Sequence, residues 1–344
     1  MREFPWPVAA ATGIGSMPGT DCADSVATVF GELPEFPYQP ELPDRGFGAD
    51  MLGRSAALLV DLAVESMPTG YRVTSRSGRE HRRAQDLRRW DLDAIEQAAH
   101  TAGNPSVIKT QVAGPWSLAA GIELPRGHRV LTDHGAVREF TQSLIEGVTA
   151  HVKELAARTG ATIVVQLDEP TLPDVLAGTL PTASGYGTVR SVPGPEARAL
   201  LASMIDGCAD ATGAPVIVHC CARRPPIGLM HHAGAGAIAI DATLLDGAPA
   251  TTLDAIGEAW DGGVAFLLGL VPALEPAERL DLRGVAEPAL QLVDRIGFSR
   301  TILRDQAVPT PTCGLAGASN AWVRRALALT RDLGHAFAEP PESW

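Results

Sequence analysis

Long apolar runs and an excess of positive charge are both missing from this chain of 344 residues. No segment approaches the ~20 consecutive apolar residues that a membrane-spanning helix needs, so a transmembrane protein is not expected. Lys and Arg number 28 against 40 Asp and Glu, a net charge of −12. A surface of that sign repels phosphate backbones and anionic lipid, which removes nucleic acid and membranes from the expected partners. The one basic run, Arg79 to Arg89, reads as the solvated face of a helix. Cysteine is scarce, five in all and an odd number. The N-terminus, MREFPWPVAAATG, has one Arg and a short apolar patch broken by two prolines, unlike a secretory leader. The expectation is a cytoplasmic chain with free thiols rather than a disulfide framework.

What is present is ordinary for a soluble globular protein, 45% hydrophobic and 20% charged. Short apolar or β-branched runs fall at 106–114, 162–170, 215–221, 237–245, 263–271 and 300–306. Between them lie segments with helical spacing, such as 136–158. Alternation of this kind predicts a parallel sheet with right-handed crossovers. An N-terminal strand through 9–16 and a weaker element before Met51 bring the count to eight βα units. Polar residues gather where each apolar run ends, as in a (β/α)8 TIM barrel, whose site lies at the C-terminal ends of its strands. The expected fold is therefore α/β, one barrel domain over residues 1–344, with the Pro- and Gly-rich passages 32–47 and 179–196 as loops. An open doubly wound sheet is the alternative. Its support is poor, because Gly13 to Gly19 misses the dinucleotide-binding spacing and puts Pro18 where the helix should begin.

The run Val-Ile-Val-His-Cys-Cys at 216–221 ends a strand in three groups that can bind a soft metal. Residues i and i+2 of a strand share a face, so His219 and Cys221 point one way and Cys220 the other. Imidazole and thiolate are ligands that zinc favours, and a catalytic zinc takes three protein ligands plus one open or exchangeable position. Cys313, in a loop after the last expected strand, offers a second sulfur, and Asp241, at the end of AIAID, a carboxylate. A buried cysteine is most often a small hydrophobe, the reading given to Cys22, Cys208 and Cys220. One H-x-C motif alone is also compatible with a purely structural role.

Six stretches, TGIGSMPGT, AGPWSLAAG, VVQLDEPTLP, VIVHCC, AIAIDATL and PTCGLAGASNAW, occur in order along nearly the whole chain. In this the chain resembles the catalytic barrel of the cobalamin-independent methionine synthase family and its shorter relatives. The resemblance implies zinc held by His219, Cys221, Asp241 and Cys313. It also implies that Ile14, Gly15 and Ser16, together with Asp168, hold the amino acid part of a homocysteine-like thiol. Zinc deprotonates a coordinated thiol, and the resulting thiolate can attack an electrophilic methyl group. Asp168 suits an ammonium group, although a cap before Pro170 is an alternative; Ser16 can equally be a helix N-cap. Trp116 is either a flat apolar wall of the cofactor pocket or a core residue.

Three departures from the family pattern stand out. Asp241 replaces a Glu, one methylene longer. Gly269-Leu270-Val271-Pro272 stands where the methionine synthases carry a proton-relaying His. No amine-gripping acid is evident in ELPDRGFGADM, where Asp44 and Asp50 are the nearest candidates. The length also matches the catalytic barrel without the family's N-terminal barrel. The expected function is zinc-dependent methyl transfer to a thiol, giving methionine from homocysteine, with a methylcorrinoid protein or methyltetrahydrofolate as donor. The rivals are another thiol alkylation, such as epoxide addition, and a non-catalytic barrel that binds zinc or a corrinoid partner.

Overall fold

The computed structural model describes residues 3–68, 70–182 and 185–339. Its strands are, in chain order, β1 (Ala63–Met67), β2 (Gly70–Thr74), β3 (Val107–Ala113), β4 (Ile122–Glu123), β5 (Thr162–Asp168), β6 (Ile217–His219), β7 (Ala237–Asp241), β8 (Ala265–Val271) and β9 (Ala307–Pro311). Strands β3, β5, β6, β7, β8 and β9 pair in that order, all parallel. Strands β3 and β8 are buried along their whole length, and so is β5 after Thr162. Burial on both faces is why these segments read as near-continuous apolar runs in the sequence.

Two less regular staves close the sheet into a (β/α)8 barrel. Residues 37–41 flank β3: Gln39 N–H donates to Lys109 O at 2.8 Å, and Lys109 N–H donates to Pro37 O at 2.9 Å. Residues 12–17 lie between that stave and β9. Glu41 N–H donates to Gly15 O at 3.0 Å and Met17 N–H to Glu41 O at 2.8 Å. On the other side Thr12 N–H donates to Pro309 O at 3.3 Å, and Leu315 N–H to Ser16 O at 2.7 Å. The N-terminal strand expected at 9–16 is thus a stave of the barrel. The 32–47 passage, expected to be a loop, supplies the second stave through 37–41.

The run at 300–306, expected to be a strand, is instead the helix Thr301–Gln306, which buries Ile302 and Leu303. The strand follows it, as Ala-Val-Pro-Thr-Pro of β9. Proline cannot donate to a sheet ladder and is confined to weakly paired positions. On one side β9 meets only the irregular first stave, and there Pro309 acts as an acceptor.

Helices cover the outside. The helix expected at 136–158 spans His134–Thr159; Asp133 caps it by accepting from Gly135 and Ala136 N–H, and Gly160 ends it at φ 71°. Helix Arg79–Thr101 carries the basic run. Arg79, Arg82, Arg83 and Arg89 are exposed on it, while Arg88 pairs with Glu154 at 3.0 Å, so the run is the solvated face expected. The hairpin of β1 and β2, with β4 alongside β2, is a small separate sheet that the sequence pattern did not announce. Among the described residues no helix is long and apolar enough to cross a membrane.

Alternation along the staves separates two environments inside the barrel. Val107, Val164, Ile217, Ala237, Ala239, Ala265, Leu267 and Val308 form an apolar floor, closed below by Trp6 and Phe36 with ring centroids 5.0 Å apart. Two residues farther along β3, β5 and β6 the same face carries Lys109, Gln166 and His219. The interior therefore turns polar toward the C-terminal ends of the strands.

Candidate metal centre

His219 is the last residue of β6 and pairs in register with Asp168, the last residue of β5. Both are nearly buried, at 4% and 5% exposure. Asp168 Oδ1 lies 2.7 Å from His219 Nδ1 and accepts from Gln166 Nε2 at 2.8 Å. A carboxylate can only accept, so the shared proton sits on His219 Nδ1. This leaves Nε2 of His219 as a bare lone pair, buried and without a partner. Both of these Asp168 hydrogen bonds fall on Oδ1 and neither on Oδ2.

The chain turns after His219. Cys220 is completely buried in the core between sheet and helices, while Cys221 is half-buried at the mouth. Cys313, exposed in the loop after β9, brings its sulfur to 3.7 Å from that of Cys221, across the ends of β7 and β8. Of the remaining thiols, Cys208 is buried in the core as a small hydrophobe, and Cys22 packs against the core with Asp91 as a hydrogen-bond partner. Two neighbouring thiols do not ionise together with ease. Cys313 is pulled down to about 6 by its hydrogen bond with Cys221, against burial, which would raise it. Cys221 is pushed up for the same reason, with burial adding to the effect.

The pair fits a tetrahedral ion. Ligands held at ~2.3 Å on two corners of a tetrahedron are about 3.8 Å apart, close to the sulfur separation here. The orphaned His219 Nε2 is a second observation in favour, because a buried nitrogen without a partner is costly unless something binds it.

Asp241 fits less tightly. It ends β7 on the face shared with Ala237 and Ala239, and burial raises its pKa. Its Oδ1, however, accepts from Thr243 N–H at 3.0 Å and Thr243 Oγ1 at 2.6 Å, so one oxygen caps the following turn. Among the described residues, the group of His, Asp, Glu or Cys atoms gathered within 4.8 Å of one another is His231, His232 and Glu258, not the expected four. That group sits near the C-terminal ends of helices Ile227–His232 and Ala250–Asp261, at the opposite end of the βα units from the strand C-termini.

The expected substrate residues sit beside the sulfurs. A Cβ on Gly314, next to Cys313, would run into Ser16 Oγ, so glycine there admits the first stave. Ser16 is not a helix cap; Asp21 caps the helix Cys22–Glu32. Neither the N–H nor the Oγ of Ser16 is used in the backbone bonds that hold it. Gly15 packs with its Cα against Gln111, where a Cβ would come within 3.0 Å. Ile14 O accepts from Lys109 Nζ at 3.0 Å and Gln166 Nε2 at 2.9 Å.

The acid of ELPDRGFGADM that the structure brings beside Ser16 is Glu41. It bridges Ser16 in parallel register, is 5% exposed, pairs with Arg54, and feels the charge of Asp168. Burial raises its pKa and Arg54 opposes the rise. Asp50 is instead an N-cap for Leu52 and Gly53, and Asp44 accepts from Gly19 N–H. The sequence hides Glu41 because the stave that carries it has no strand pattern.

Trp116 packs between helices. It is 2% exposed, its indole N–H donates to Ala197 O at 3.0 Å, and it lies in the helical shell beside a surface groove of about 560 Å³. Of the two readings of Trp116, its burial supports the core residue. The Gly-Pro-Trp turn serves the scaffold instead. Glu169, turned away from Asp168 by the pleat, accepts from Trp116 N–H, Ser117 N–H and Ser117 Oγ at 2.8–2.9 Å. It caps helix Pro115–Gly121 from across the sheet. Burial pushes Glu169 up to about 7 against those bonds.

Residues 8–336 match the model of a family described as "Cobalamin-independent synthase, Catalytic domain". No curated protein matches the chain in sequence. Two solved structures share the fold. A B12-independent methionine synthase from Shewanella sp. W3-18-1, in complex with selenomethionine, is 11% identical with a TM-score of 0.58, over 96% of this chain and 97% of that one. A methyltransferase from Methanosarcina mazei is 14% identical with a TM-score of 0.58, over 95% of this chain and 93% of that one. With its barrel closed and its strand-end residues in place, the chain belongs to the cobalamin-independent synthase family, by way of its catalytic domain.

Proposed function

We propose that this chain is a zinc-dependent methyltransferase that methylates an amino acid thiol, homocysteine in the first instance. The observation that carries the proposal is the 3.7 Å approach of Cys221 and Cys313 beside the unpartnered Nε2 of His219. Family membership supports the reaction class. His219, Cys221 and Cys313 would hold the ion, with Asp241 as a fourth ligand that can leave. Zinc in that position supplies a Lewis acid that lets a thiol lose its proton at neutral pH.

The chain's own groups do the rest. Asp168 Oδ2 and Glu41 accept hydrogen bonds from the substrate ammonium, and Ser16 N–H and Oγ donate to its carboxylate. These anchors point the sulfur at the mouth. The thiolate then displaces the donor: a sulfur–carbon bond forms, the donor–methyl bond breaks, and its electron pair leaves with the donor.

Where the methionine synthases carry the relay His, residues 269–272 of this chain have no titratable side chain. Leu270 and Val271 are buried apolar residues, and a Cβ on Gly269 would meet backbone of Ile240 and Thr312. This favours a methylcorrinoid, whose leaving group needs no acid, over methyltetrahydrofolate, whose departing nitrogen must be protonated. The test is metal analysis followed by a donor panel with homocysteine: methylcobalamin, methyltetrahydrofolate with one and with several glutamates, and an epoxide. Protein that takes up no zinc, or turns over no donor, overturns the proposal. Turnover of the folate alone overturns the donor choice, and turnover of the epoxide alone replaces methyl transfer with thiol alkylation.

A further inference from the structure

Lys109 is one of two lysines in the chain; the other is Lys153, and arginine supplies the remaining basic side chains. It is completely buried inside the barrel. No carboxylate is bonded to it. Its Nζ donates to Ile14 O at 3.0 Å, Gln166 Oε1 at 2.8 Å and Gln111 Oε1 at 3.3 Å, with the Tyr38 ring 5.3 Å away. Three acceptors match the three protons of an ammonium, whereas a neutral amine has two and would turn its lone pair on an oxygen. A charge buried among neutral carbonyls is costly, and an apolar side chain would fill the space at lower cost. The position makes sense through what the ammonium orients.

An ammonium can only donate, so the side of Gln166 that faces the charged Lys109 is Oε1, while burial draws the lysine's pKa down to about 7. The amide is planar, so Nε2 faces the other way, toward Asp168 Oδ1 at 2.8 Å and Ile14 O at 2.9 Å. Asp168 Oδ1 also takes the Nδ1 proton of His219 at 2.7 Å. One end of this chain of bonds is thus a fixed donor, and the other end is the bare Nε2 of His219.

We propose that Lys109 is the positioning residue of the site. Its ammonium turns Gln166 Nε2 toward Asp168, which holds the carboxylate against His219 Nδ1 and so presents Nε2 to the metal, and it pins Ile14 O so that Ser16 meets the substrate in register. This deepens the zinc reading and rests on it for the metal, but the tautomer can be read without any metal.

The test uses the full chain. In metal-free protein, the ring ¹⁵N shifts of His219, assigned with His219→Gln, should show the proton on Nδ1. In Lys109→Met and Gln166→Leu, each folded by circular dichroism, the signal should move toward a mixture of tautomers. Zinc affinity, measured against a competing chelator, should drop about 10- to 100-fold, the usual cost of losing a group that orients a ligand. The double variant should lose little more than either single one, because both cut the same chain. A wild-type His219 protonated on Nε2 overturns the proposal, even if neither variant folds. So do variants that melt earlier yet keep the wild-type tautomer and zinc affinity, since Lys109 would then serve stability alone. If the wild-type chain binds no zinc while the tautomer behaves as described, the zinc reading fails and the positioning role stands.

Discussion

Asp168 and His219 end neighbouring strands at the same register, and 2.7 Å separates their facing side-chain atoms. One carboxylate oxygen thereby fixes the imidazole, and under the proposed function the other would meet the substrate ammonium. Asp168→Asn removes the charge and keeps the shape. Homocysteine affinity should fall about 10- to 100-fold, the worth of one hydrogen bond to a charged group at about 1.5–3 kcal/mol. Calorimetric titration of the zinc-loaded variant measures it, and an unchanged Kd means the ammonium binds elsewhere.

The three clustered cysteines should separate cleanly. Cys221→Ser and Cys313→Ser should lose zinc by elemental analysis, while Cys220→Ser keeps it and loses stability instead, because Cys220 is wholly buried in apolar core. Asp241→Asn should weaken retention partly, since Oδ1 already serves Thr243. Zinc loss confined to Cys220→Ser would reverse the face assignment.

His151 gives the fold a pH dependence. It is 3% exposed, with Nδ1 3.3 Å from the Arg88 guanidinium and Nε2 3.2 Å from Gln39 Oε1. Burial first, then Arg88, drives its pKa down to about 3. An unfolded histidine takes a proton near pH 6.5, which the folded one refuses until about pH 3. Unfolding is thus favoured progressively as pH falls through that window, by at most about 1.4 kcal/mol per pH unit. Denaturant melts from about pH 6.5 to about pH 4 should show a shallower slope for His151→Gln than for wild type. Parallel slopes would place the acid sensitivity in other groups.

Gly269 should refuse the side chain whose absence defines the donor side. A Cβ there would lie 2.9 Å from both Ile240 O and Thr312 Cα. Backbone on two sides cannot yield as a flexible side chain would, so Gly269→Ala should cost about 1–3 kcal/mol, in the range of overpacked cores. Gly269→His should not restore a proton relay without greater loss. A Gly269→Ala melting point equal to wild type would show that the strand ends can spread.

Legibility in the sequence followed the locality of the signal. Strands β3, β5 and β8 carry long buried runs and were readable, as was the helix around 136–158. His219, Cys221 and Cys313 were readable because thiols and imidazole are rare and chemically specific. Thr301–Gln306 misled because Ile302 and Leu303 are buried neighbours, a feature common to a strand and to a short helix end. The stave at 37–41 has its barrel character from partners at 15–17 and 109, contacts that no local pattern encodes. Glu41 and Lys109 were hidden for that reason: one sits on the unreadable stave, and the other looks like an ordinary strand lysine until three carbonyls are seen to surround it.

The barrel also has a weak side. Its six regular strands share continuous ladders, whereas the staves at 12–17 and 37–41 are held by scattered bonds. Local opening draws on the regions with the fewest backbone bonds, so this side should breathe while the rest stays shut. Ser16 and Glu41 face each other across it. An amino acid gripped by both would act as a rivet, slowing amide exchange along the two staves and leaving that of β5 to β8 almost untouched. Occupancy of the pocket would then be readable in the motion of the backbone, before any methyl group moves.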